Sequence, residues 1–105
     1  MSVLNGDTST VGRKDDSGKL RWCLLPLGPV KQIIKALMFG SQKYSDNNWQ
    51  KVDNARERYY DASIRHITAY WSGEKNDPES GLSHLAHAGC CILFMLWLEE
   101  NNGAV

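Results

Sequence analysis

The sequence predicts an all-α fold, a small three- to four-helix bundle completed by self-association. Apolar residues recur at three- and four-residue spacing in segments 30–44 and 54–71, and a third segment, 81–100, is apolar around most of its circumference. No stretch shows the alternation of a half-buried strand. A chain of 105 residues makes one domain with a modest core. A helix apolar on several sides needs more cover than two thin neighbours provide, so a homo-oligomer, dimer or tetramer, is expected.

Residues 1–18 are rich in Ser, Thr, Gly and Asp and poor in apolar side chains, which predicts a flexible arm ahead of a single helical domain over 19–105. Pro26, Gly28 and Pro29 lead into the first helix, whose stripe is Val30, Ile33, Ile34, Leu37 and Met38, with Lys31 and Lys35 off it. This helix is expected to end between Gly40 and Tyr44, and Asp46-Asn47-Asn48 signals a turn. The second helix, from about Asn54 to Trp71, has Tyr60, Ile64, Ile67 and Trp71 as its apolar stripe. Asp61, Arg65 and Thr68 lie opposite, and Tyr59, His66 and Tyr70 flank the stripe. Gly73 stops it. Asp77 reads as the N-cap of the third helix with Pro78 at its first position.

Charge excludes several functions. Lys+Arg and Asp+Glu number 12 each, so no overall field draws the chain to DNA, RNA or an anionic membrane, and direct nucleic-acid binding is not expected. The longest apolar run, Ala88 to Leu98, is too short to span a bilayer. Cys23 and the adjacent Cys90 and Cys91 suit no disulfide framework and fit a reducing compartment, so a soluble cytoplasmic protein is expected.

Chemistry concentrates in residues 73–91, GEKNDPESGLSHLAHAGCC. His84, His87 and Cys91 at i, i+3 and i+7 share a helix face, the spacing that brings two ligands to one metal. Glu74, Asp77 and Glu79 are hard oxygen donors, and His66 on the preceding helix is placed to join them. The candidate metal set is therefore His66, Glu74, Asp77, Glu79, His84 and His87. The plainer assignments are an N-cap for Asp77, a helix-dipole partner for Glu79, hydrogen-bonded interface histidines, and core residues for Cys90 and Cys91. A second cluster, KDDSGKLRW at 14–22 and GSQKYSDNNW at 40–49, offers Lys14, Lys19 and Lys43 for phosphate and Tyr44 and Trp49 as flat faces for a base. Its plainer assignments are a solvated arm and ordinary core aromatics.

The order KDDSGK, GSQKYSDNNW, Arg65-His66 and GEKNDPESGLSHLAHA, over about residues 13–98, resembles a family found mainly in bacteriophages, the dATP/dGTP diphosphohydrolase N-terminal domain. That family looks related to the all-α MazG-type pyrophosphohydrolases. The resemblance implies a metal-dependent hydrolase in the host cytoplasm that cuts a purine deoxynucleoside triphosphate to monophosphate and pyrophosphate. It implies Lys14, Lys19, Lys43, Tyr44, Asn48, Trp49 and Arg65 for substrate and Glu79, His84 and Lys43 for catalysis, with Asp16 and Gly18 also in the matched motifs. The paired acidic motifs of MazG-type enzymes are absent, and His84-Leu85-Ala86-His87 stands where the second is expected. The cofactor is expected to be Mg²⁺ or Mn²⁺, with Zn²⁺, Co²⁺ or Fe²⁺ admitted by the imidazoles. The alternative from another class is a non-catalytic protein that sequesters a host nucleotide or nucleotide signal.

Overall fold

A computed structural model describes residues 11–102. The expected arm falls partly outside this range; its described part, 11–18, is exposed. Three helices form the domain, α1 (Leu27–Lys43), α2 (Ala55–Trp71) and α3 (His84–Asn102), and there is no strand among the described residues. The fold class is as the periodicity predicts.

Helix α1 begins three residues ahead of Val30, because a proline such as Pro29 is tolerated in a first turn where its missing N–H costs nothing. It ends with Tyr44 N–H donating to the Gly40 carbonyl at 2.9 Å. The Asp-Asn-Asn turn forms as expected: Asn47 adopts φ 59°, a left-handed conformation Asn accepts more readily than most residues. A 3₁₀ turn over Asn48–Lys51 follows. Helix α2 closes on Gly73 at φ 111°, with Glu74 N–H reaching the Ala69 carbonyl at 3.0 Å.

The start of α3 differs from expectation. Asp77 caps no helix. Its Oδ1 accepts the Glu79 N–H at 2.7 Å, and its carbonyl accepts the Gly81 N–H at 2.7 Å, closing one helical turn that Gly81 at φ 75° ends. The helix begins seven residues after Asp77, where Ser83 Oγ accepts the Leu85 N–H. The intervening loop is pinned at its base by His84 N–H to the Lys75 carbonyl at 2.9 Å and by Asp77 N–H to the Leu82 carbonyl at 2.8 Å.

α3 is the central element, packed antiparallel along α2 on one side and against α1 on another. Small residues set both seams. Ala36, Ala86 and Cys90 form the buried centre with Ile33, Leu37, Leu82 and Phe94 around it, and Gly89 lets Ile33 approach so closely that a Cβ there would lie 2.7 Å from its Cδ1. Trp49 stacks on Phe94 at 4.4 Å with Trp97 edge-on, closing one end of the core.

The stripe expected to seat α2 faces outward. Tyr60 is 57% exposed and Trp71 86%, and Ile64 and Ile67 are also exposed. The buried or half-buried side of α2 is instead Ala55, Tyr59, Ala62, Ser63, His66 and Ala69. Close approach of two helices selects small side chains for the seam, and the bulky stripe is left on the far side. Ile34 and Met38 of α1 are exposed for the same reason, while Ala36 is buried.

Candidate functional site

One turn of α2, the loop after it and the first turns of α3 converge at one place. His66 Nδ1 lies 2.9 Å from His84 Nδ1, and His84 Nε2 lies 2.7 Å from Glu74 Oε1. His66 Nδ1 is 3.9 Å from Asp77 Oδ2. His87 stacks on His66 with ring centroids 4.9 Å apart, takes the edge of Phe39, and meets the Ser80 hydroxyl through Nε2 at 2.7 Å. The antiparallel hairpin explains the meeting, since His66 near the end of α2 comes opposite His84 at the start of α3.

The hydrogen-bond chain fixes the tautomer. A carboxylate only accepts, so a neutral His84 carries its hydrogen on Nε2 toward Glu74 and presents a bare Nδ1. That lone pair faces Nδ1 of His66. Either an N–H of His66 or a cation shared by two lone pairs satisfies the contact.

The donor set fits a divalent cation. His66, Asp77 and His84 each offer an atom, all within 4.8 Å of one another, and two imidazoles with one carboxylate suit Mn²⁺, Fe²⁺, Co²⁺ or Zn²⁺. Burial pushes the His66 imidazole below its ordinary value, with His87 and His84 adding to the effect and Asp77 opposing it. Burial does the same to His87, again against Asp77. For Asp77 burial pushes upward, but the Glu79 N–H, His87, the Ser80 N–H and His66 outweigh it and hold the carboxyl below its usual range. Neutral rings beside an ionised carboxylate are the protonation states a cation requires.

The six predicted metal residues thus separate by role. His66, Asp77 and His84 gather. Glu74 orients His84, as carboxylates commonly do for ligating histidines. His87 is engaged by Ser80 and Glu79 by Lys43, whose Nζ lies 2.7 Å from Glu79 Oε2.

Beside this cluster lies a cleft of about 1120 Å³, lined by Lys43, Tyr44, Asn48, Trp49, Arg65, His66, Asp77, Glu79 and His87 among others. Five of the seven predicted substrate residues therefore share one hollow with His66 and His87. Lys14 and Lys19 do not line it; Lys14 pairs with Asp16 at 3.8 Å, and Lys19 closes a turn through its N–H to the Asp16 carbonyl. Glu74 and His84 are not among the residues that line it. Of the two predicted stacking faces, Trp49 is committed to Phe94, whereas Tyr44 is 64% exposed with Lys43 Nζ 5.3 Å from its ring centre. Ser80 and Phe39, which hold His87, were not identified from the sequence: a lone serine in a loop carries no spacing signal, and Phe39 lies off the apolar stripe.

A family model for the dATP/dGTP diphosphohydrolase N-terminal region matches residues 9–105. The chain belongs to this family. Among its relatives, a protein of Salmonella phage PMBT28 named dATP/dGTP diphosphohydrolase is 36% identical over 91 residues. The match covers 87% of this chain and 31% of that relative, so the chain spans about a third of the length of the curated relative it matches. No solved structure matches the chain significantly. The stretches of this sequence that carry the resemblance place Lys43, Tyr44, Asn48, Trp49, Arg65 and His66 on the lining of the cleft.

Proposed function

We propose that this chain is the substrate- and metal-binding unit of a nucleoside triphosphate diphosphohydrolase, acting on a purine deoxynucleotide and releasing monophosphate and pyrophosphate. The observation that carries the reading is the convergence of His66, Asp77 and His84 at the wall of a cleft that also presents Lys43 and Arg65. The phage relative's name supports the substrate class.

Each side chain then has a task. His66, Asp77 and His84 would hold a divalent cation, which offsets phosphate charge and acidifies a water for attack at the α-phosphorus. Lys43 and Arg65 balance charge on the departing pyrophosphate, a positioning and electrostatic role. Arg65 is exposed and makes no ion pair among the described residues, which leaves it available to take a phosphate. Substrate phosphate competing for Lys43 frees the Glu79 carboxylate to accept a proton from the attacking water. Tyr44 stacks on the base and Asn48 offers an amide to its edge.

The test is incubation of the purified chain with dATP and dGTP over Mg²⁺, Mn²⁺, Co²⁺ and Zn²⁺, with products resolved by chromatography. Monophosphate and pyrophosphate in equal amounts are expected, lost in His84→Ala. Tight binding with intact triphosphate would replace catalysis with sequestration, and neither binding nor turnover would defeat both readings.

A further inference from the structure

The outward stripe of α2 has a counterpart. Leu85, Ile92 and Leu96 on α3, at i, i+7 and i+11, are all exposed, as are Tyr60, Ile64, Ile67 and Trp71 on α2. Helical register places both stripes on the same side of the α2–α3 hairpin. The cleft takes Arg58, Asp61 and Arg65 from α2 and His87, Cys90 and Phe94 from α3, and none of the seven apolar residues. The seven therefore form one apolar sheet on the hairpin's back, with the small buried residues Ser63 and Ala88 in its seam.

We propose that this back face is a self-association surface that pairs two copies of the chain into a four-helix layer, leaving both clefts open to the outside. Three observations favour a second copy as the occupant. First, size: 17 residues of helix run about 26 Å and two helices span about 20 Å, roughly 500 Å² in flat projection before side-chain relief. That approaches the scale of a stable interface, about 800 Å² of accessible surface per partner, and lies in the upper part of the range of the largest apolar patch on a monomer, about 300–600 Å², a size often functional. Second, charge: Arg56 extends the α2 stripe four residues before Tyr60, and Glu99 extends the α3 stripe three residues after Leu96. Both are exposed, neither forms an ion pair among the described residues, and they lie at the same end of the antiparallel hairpin. A two-fold axis along the hairpin lays α2 on the partner's α3 and brings Arg56 to Glu99 of the partner subunit, twice. An anionic surface, by contrast, would find no excess of positive charge there. Third, the domain needs cover: no side chain in the described chain is fully buried, and α3 is apolar toward this side as well as toward α1 and α2.

Sedimentation of the full chain over a concentration series tests this. A mass near twice 11.8 kDa is expected for the natural sequence, falling to the single-chain value in Ile64→Lys/Ile67→Lys with helical circular dichroism unchanged. Arg56→Glu and Glu99→Arg should each weaken association a few-fold, as expected for exposed pairs, and the double reversal should restore it. This charge reversal keeps the test decisive should the lysine variant fail to fold. A natural chain that stays monomeric at every concentration, an assembly indifferent to the lysine pair, or a double reversal no better than either single would overturn the proposal. Nucleotide binding is a separate readout, so loss of assembly with binding intact separates this proposal from the functional one.

Discussion

The two faces of the α2–α3 hairpin are built from the same two helices and obey different physics. On the front, polar groups satisfy one another at close range: His66 to His84, His84 to Glu74, His87 to Ser80. On the back, large apolar side chains lie exposed to solvent. Directional bonds in a partly desolvated place fix a geometry, which is what a ligand site needs. A non-directional apolar sheet fixes none until a partner shapes it. Front changes should therefore abolish chemistry and leave assembly intact, and back changes should do the reverse.

His84→Ala should break the front most severely. The residue is 5% exposed and its ring holds two partners, so its loss opens a gap in the packing and leaves the half-buried His66 without its ring partner. Activity should fall on the order of 100-fold or more, and stability by about 1–3 kcal/mol. Turnover and thermal melting read the two effects. If hydrolysis survives, His84 is a packing residue and the cation site lies elsewhere.

Glu74→Gln asks whether Glu74 acts through His84. An amide can donate as well as accept, so the His84 tautomer is no longer enforced. Metal affinity, measured calorimetrically with Mn²⁺ alone, should drop about 10- to 100-fold, with melting temperature nearly unchanged because Glu74 is largely exposed. An unchanged affinity would remove Glu74 from the site.

Acid should also act on the front alone. The folded values of His66 and His87 lie below the ordinary 6.5, chiefly through burial. Below 6.5 the unfolded chain takes up protons the folded chain resists, so stability falls as pH drops through that value and is full above it. Asp77, held below 3.8, adds a loss only in stronger acid. Melting temperature should decline between pH 7.5 and 5.5, and His66→Asn should flatten the decline. A profile without slope in the natural chain would mean that these rings are better solvated than their packing implies.

Legibility from the sequence followed a similar division. Helix spacing made the three helices readable, and the order of short motifs made the cleft readable, because Lys43, Tyr44, Arg65 and His66 sit where helix ends and hairpin geometry bring them together. What hid was relative orientation. Periodicity locates an apolar stripe on α2 but cannot say whether it faces a neighbour helix or another molecule; small residues such as Ala62 and Ser63 decided that by allowing the closer approach. Asp77 followed by Pro78 is a strong helix-start signal, yet a glycine at φ 75° four residues on outweighs it.

Lys43 and the arm lysines separate the cleft from its surroundings. Lys43→Ala should raise KM on the order of tenfold, since the group faces the cleft and one charge-assisted contact is lost. Its pairing with Glu79 is exposed, so folding should be indifferent.

Lys19→Ala is expected to do least. Lys19 lies on an exposed turn outside the cleft, and its bond within the described residues is the backbone N–H to the Asp16 carbonyl, which alanine keeps. KM and melting temperature should both stay within error of the natural chain. A rise in KM comparable to that of Lys43→Ala would mean that the arm folds over bound nucleotide and that the lysines of 14–19 belong to the ligand-bound site. That would move the boundary of the front face to include a segment that the free chain holds away from it.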